Sequence, residues 1–157
     1  MRIALVALAG LALAATPASA LTVETTMSPE FQTKLEDDIG VREAKYLSES
    51  LTKKVEAAFA RTEVDVDRVV LTIHDAKPNR PTLEQISNKP GLDPSRSISV
   101  GGAHVTGIAY DASGAEIGRL DYDWYETDLT SAFGSATWTD ARWTFDRFAR
   151  RFADKLS

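Results

Sequence analysis

The chain has no cysteine in its 157 residues. That removes disulfides, thiolate metal ligands and cysteine nucleophiles together. It also leaves no residue to carry a lipoprotein-type lipid, so no lipid anchor is expected. Histidine is scarce: His74 and His104 are the two present. No G-x-S-x-G elbow surrounds Ser97, Ser99 or Ser135, so a nucleophilic serine has no motif behind it. No HExxH occurs, and Gly101-Gly102 does not lead into a helix start as a phosphate loop would. There is no internal repeat. Basic charge is also short, with 18 Lys and Arg against 23 Asp and Glu and a net charge of −5. A nucleic-acid binder is usually basic, so nucleic acid is a poor partner on this count, as is a simple anionic membrane surface.

Long apolar runs are missing except at the start. Met1-Arg2 is short and positively charged, Ile3 to Ala15 is almost wholly apolar, and Thr16-Pro17-Ala18-Ser19-Ala20 ends on a small-x-small pattern. This is the layout of a cleaved secretory signal peptide over residues 1–20. The run is too short to cross a hydrocarbon core, which takes ~20 apolar residues. The expected mature protein is therefore a single globular domain, residues 21–157, delivered to the periplasm or secreted, with no transmembrane anchor. Losing Arg2 takes its net charge from −5 to −6. With 43% hydrophobic and 26% charged residues, the chain has the composition of a folded domain.

What is present reads as an ordered α+β chain. Leu21 to Met27 alternates and is rich in β-branched residues, which predicts a strand. Ser28-Pro29-Glu30 supplies a capping hydroxyl, a proline at the first helical position and an acid in the first turn. Apolar residues then recur four apart at Phe31, Leu35 and Ile39, and again at Leu47, Leu51, Val55 and Phe59. That spacing drifts around a straight helix, so a kink or break is expected near Gly40. A second strand spans Asp67 to Asp75. The loop Ala76 to Ser97 carries Pro78, Pro81, Pro90 and Pro94, and should hold one short helix at Pro81 to Asn88 with Leu83 and Ile86 turned inward. Ile98 to Tyr110 and Glu116 to Thr127 form a hairpin about Asp111-Ala112-Ser113-Gly114. Gly101-Gly102 suggests a bulge in its first strand. The last helix carries the apolar stripe Ala141, Phe145, Phe148, Phe152 and Leu156, with Thr137 or Thr139 as its cap. The sum is a two-layer α/β sandwich of order β-α-β-(long loop)-β-β-α, a four-stranded mixed sheet with helices on one face.

Several residue groups could carry function. Asp121, Asp123, Glu126 and Asp128 put carboxylates along one strand, where Asp121 and Asp123 share a face. They read first as a solvated face with Arg119 as counter-charge, and second as a Ca²⁺ site or an acid–base pair. His74 and His104 with these acids could bind zinc or act as a general base, if the strands pair in the right register. His74 and Asp75, being adjacent, should diverge. On the last helix Trp143, Arg147 and Arg150 fall at i, i+4 and i+7, away from the apolar stripe, and an exposed Trp beside Arg is the composition of a binding hot spot. In the loop, Lys77, Arg80, Lys89 and Arg96 gather positive charge that could face an anionic ligand or envelope polymer.

Two segments, Ser97-Ile-Ser-Val-Gly-Gly102 and Trp138-Thr-Asp-Ala-Arg142 with Phe145-Asp-Arg-Phe-Ala-Arg150, resemble small exported proteins of Gram-negative bacteria from uncharacterised families. The element order is similar to small α/β domains of outer-membrane assembly accessories. The resemblance implies a periplasmic setting and brings no functional residues with it. The expected function is a non-enzymatic binding module of the cell envelope that needs no cofactor, its partner an envelope protein or polymer. Two alternatives stand beside it: a small periplasmic hydrolase using His74 with Asp121 or Asp123, and a carrier of a small apolar ligand in a pocket lined by Phe31, Phe59, Trp124 and Phe148.

Overall fold

The computed structural model describes residues 20–157. The expected leader therefore lies outside the described residues, apart from Ala20. Four strands, β1 (Thr22–Met27), β2 (Arg68–Lys77), β3 (Gly102–Tyr110) and β4 (Glu116–Tyr125), form one sheet in the order β1-β2-β3-β4. β1 and β2 run parallel; the other two pairings are antiparallel. α1 (Pro29–Lys34), α2 (Arg42–Phe59), α3 (Leu83–Asn88) and α4 (Thr139–Leu156) complete the α+β architecture. α2 and α4 lie side by side on one face of the sheet.

The start of α1 forms as its residues dictate: Ser28 accepts from the Phe31 amide, with Pro29 following at the first helical position. The four-residue apolar spacing is resolved by geometry. Leu35–Ile39 is a π-turn, wider than an α-turn, and Gly40 ends it at φ 104°. The wider turn keeps i and i+4 on one face, so Phe31, Leu35 and Ile39 are all buried. The stripe of α2 (Leu47, Leu51, Val55, Phe59) meets the buried stripe of α4 (Ala141, Phe145, Phe148, Phe152) over Val69, Leu71 and Ile73 of β2 and Val105 of β3. Phe59 and Phe152 pack edge to face at 5.5 Å between ring centres.

Several local expectations are corrected. β2 runs on to Lys77, and β3 starts at Gly102 rather than Ile98. The glycine pair is not a bulge: the register shifts fall between Ile73 and Asp75 and between Ala109 and Tyr110. Gly101 and Gly102 are small because other chain passes close. A Cβ on Gly101 would lie 2.7 Å from the Lys77 carbonyl oxygen, and one on Gly102 would lie 2.3 Å from that of Trp124. The loop helix is capped by Thr82 in a reciprocal box with Gln85, and Leu83 points to solvent at 76% exposure. It is the Thr82 side chain, donating to the Ile39 carbonyl at 2.6 Å, that turns inward there. No hydroxyl caps α4: its first turn is fastened by Asp140.

Asp140 is buried at 4% exposure, yet fully engaged. Its Oδ2 accepts from Asn79 Nδ2 at 2.6 Å and from the Gly101 amide at 2.8 Å. Its own amide donates to Asn79 Oδ1 at 3.0 Å. Asn79, with no exposure, donates its backbone N–H to the Thr137 carbonyl. One carboxylate thus joins the long loop, the start of β3 and the start of α4. Beside it, Trp138 donates its indole N–H to Glu43 at 2.6 Å, tying α4 to α2.

Candidate functional site

The outer surface of α4 carries several cations. Core packing of Ala141, Phe145, Phe148 and Phe152 leaves Arg142, Trp143, Asp146 and Arg150 on the far side. With Lys54, Thr139 and Arg147 these line a groove of about 470 Å³. A neighbouring groove between α2 and α4 shares Lys54, Arg142, Asp146 and Arg150 and adds Lys53 and Arg61. Across both grooves Asp146 is the one acid among six cations. It accepts from Lys54 at 3.2 Å and pairs with Arg150 at 2.9 Å. Trp143 stands at 56% exposure in the middle of this surface.

The sequence triplet of this helix is thus brought into one groove, with different duties for each member. Trp143 is exposed. The Arg147 guanidinium lies over the Trp124 ring at 4.1 Å, and Arg151 lies over Tyr122 at 4.8 Å. Both arginines therefore also clamp the helix to β4. Arg150 is held by Asp146. The sequence reading missed Lys54 and Arg142. Lys54 comes from another element, and nothing local announces that it converges on α4. Arg142 sits beside Trp143 and was legible as part of the exposed face.

The open face of the sheet brings the two histidines together. The register shift between Ile73 and Asp75 puts Asp75 opposite His104, which is in turn opposite Asp123. His74 and His104 stack at 4.7 Å between ring centres. His74 and Asp75 therefore both approach His104, where unbroken alternation would have parted them. His104 Nε2 is 2.7 Å from Asp121 Oδ1, and His74 Nε2 is 2.8 Å from the Thr106 hydroxyl. Asp75 accepts from Tyr125 at 2.8 Å and from Lys34 at 2.6 Å. Partial burial, with Asp75 next to it, pushes the Tyr125 phenol above its ordinary range. Arg119 does not serve the acidic strand; it pairs with Glu116 at 3.1 Å. Glu126 and Asp128 accept from nearby backbone amides and shape the turn after β4.

Among the described residues no three His, Cys, Asp or Glu side chains are placed to hold a metal ion. The aromatic residues expected to line an apolar pocket are in the core or against another side chain. Phe31 and Phe148 are packed at 1% and 0% exposure, and Trp124 is occupied with Arg147.

The loop cations divide. Lys77, Arg80 and Lys89 line a third groove, together with Lys34; Arg96 does not join them and is exposed. Arg80 is a structural tie, donating to the carbonyls of Ser135 at 2.6 Å and Ser95 at 2.6 Å. Lys89 donates to Asp38, and that bond, helped by Gln85, holds the Asp38 carboxyl below its usual range.

No protein-family model matches the chain, and no curated protein matches its sequence. Among solved structures it is similar to a minor lipoprotein from Acinetobacter baumannii, 15% identical, covering 86% of this chain and 91% of that one at a TM-score of 0.26. It is also similar to a chain from Caulobacter crescentus CB15 assigned as a lipoprotein, 17% identical, covering 85% and 83% at a TM-score of 0.28. Likeness at that level carries no argument about fold or activity. No helix among the described residues is long and apolar enough to cross a membrane.

Proposed function

We propose that this protein is a non-enzymatic binding module of the cell envelope that takes an acidic protein segment on the outer surface of α2 and α4. The observation behind this reading is the groove itself: Lys54, Arg142, Arg147 and Arg150 around an exposed Trp143, with Asp146 the one carboxylate. Trp and Arg side by side are the residues that dominate interface energetics, and Arg offers carboxylates a planar, two-toothed donor. The envelope setting rests on the leader-like residues 1–20.

The test uses a fluorescent poly-glutamate peptide as probe, with polyphosphate as a second arm. Wild type should bind the peptide saturably, and the Arg142→Glu, Trp143→Ala double variant should bind it at least about tenfold more weakly, a loss of ~1.4 kcal/mol. Arg142 makes no ion pair among the described residues and Trp143 is exposed, so melting should be unaffected. Equal binding by wild type and variant would overturn the reading. So would polyphosphate binding with no peptide binding, which would point to an anionic polymer instead.

A further inference from the structure

The long loop between β2 and β3 does more than connect strands. Its residues wall an open groove of about 410 Å³, with Ile39 and α3 opposite. This size lies within the range of small-molecule sites. Leu92 and Ile98, with the prolines Pro78 and Pro81, give the groove an apolar lining. The wall is fixed rather than loose. Asn79 is buried against Asp140, and Arg80 is bonded to the adjacent Pro94 and Ser95 carbonyls later in the loop and to the Ser135 carbonyl on the β4–α4 connection. A groove built before a ligand arrives avoids the ordering cost of binding.

The polar groups at this groove are uneven. Lys34, Lys77 and Lys89 bring three ammonium groups, and Asp38 one carboxylate. Asp38 is committed to Lys89 and Gln85, and Lys34 to Asp75. The Lys77 side chain is exposed and makes no hydrogen bond or ion pair among the described residues. Arg80 gives its Nε and Nη1 to carbonyls, whereas the exposed Lys77 ammonium is a point charge that suits a single anionic head of either carboxylate or phosphate type.

We infer that this groove binds a small amphiphile with one short apolar chain and one anionic head, the chain on Leu92 and Ile98 and the head on Lys77. This site is separate from the α2–α4 surface and does not depend on that reading.

Calorimetric titration with octanoate tests it, with octyl phosphate, octanol and acetate as further arms. Octanoate should bind saturably at one site. Lys77→Glu should weaken it about tenfold, the scale of one lost charge contact reversed. Ile98→Trp, which fills the floor, should abolish it; Leu92→Trp serves if that variant does not fold. Acetate should not bind, and octanol should bind more weakly than octanoate. Octyl phosphate in place of octanoate tells a phosphate-headed source from a carboxylate one, and tighter binding of either supports the site. No saturable binding of either anion, equal affinity for octanol, or affinity unchanged in both Lys77→Glu and the filled-floor variant would overturn the proposal. Loss of octanoate binding in the Arg142→Glu, Trp143→Ala variant would overturn its placement.

Discussion

The outer surface of the helices and the open face of the sheet sit on opposite sides of the same two layers, and they handle charge in opposite ways. On the sheet, acids and hydrogen-bonding partners stand in rows. Asp75, His104 and Asp123 lie across three strands, and Glu116 has Arg119. On the helices, six cations surround one aspartate. A chain of net charge −5 thus carries a strongly basic surface. Net charge is a sum, and the fold decides where its terms are placed. Excluding an anionic partner from the sum alone overlooks this segregation.

Both surfaces depend on one joint, and breaking it should produce the largest effect. Asp140 holds the loop, β3 and α4 through Asn79 and Gly101. Asp140→Ala leaves a buried amide and a buried backbone N–H without their acceptor. The expected cost is about 3 kcal/mol, read from denaturant melts. Hydrogen exchange should show the start of α4 and the loop opening first. If α2 or β1 opens before them, Asp140 is not the joint described.

The next effect separates the two surfaces. Binding of the acidic peptide to the helical surface should weaken steeply between low and physiological salt, because the cations there exceed their internal partners. Fluorescence titration at a series of salt concentrations measures this. A salt-independent affinity would mean that Trp143 alone carries binding, and that the charge asymmetry is irrelevant.

The helical surface was partly legible because a helix declares its faces by period. Once Phe145, Phe148 and Phe152 are assigned inward, Trp143 and Arg150 must point away. Lys54 was not legible, since its place beside Asp146 depends on how α2 crosses α4. The two layers, their order and the break at Gly40 could be read from alternation, apolar spacing and punctuation. The sheet face could not. The meeting of His74 with His104 needs both the strand pairing and one extra residue in β2, and no local signal marks that residue. The loop misled in a different way. Leu83 looked like a core residue, but the reciprocal Thr82–Gln85 cap sets the helix so that Thr82 faces Ile39 and Leu83 faces water. Arg80 looked like a free charge, and the carbonyls that occupy it come from distant turns.

On the sheet side, Tyr125 links the end of β4 to Asp75 and so to Lys34. Tyr125→Phe should cost about 1 kcal/mol at neutral pH. Its titration gives a further signature. The folded-state phenol holds its proton above the ordinary value of about 10, for reasons of burial first and the Asp75 bond second. Above that value the unfolded chain loses this proton while the folded one keeps it. Stability must then fall as pH rises past about 10. Melts between pH 9 and 11 should show a decline in wild type that is smaller in Tyr125→Phe, and an identical slope in both would sink the assignment.

The smallest effect belongs to the most enzyme-like pair in the molecule. His104 and Asp121 meet at 2.7 Å, but their side chains are 36% and 65% exposed. An exposed ion pair contributes little, because water screens it and two side chains must be held still. His104→Gln keeps the volume and one donor, so stability should change by less than about 0.5 kcal/mol. Peptide binding on the helical surface should not change at all, since the mutated residue lies across the sheet from it. A loss of more than about 1 kcal/mol in thermal or denaturant melts would mean that the stacked His74 and His104 rings, together with Asp75, support β2 at its bulge. The sheet face would then be a stabilising network in its own right, and the contrast with the helical surface would be one of cooperative structure as well as of charge.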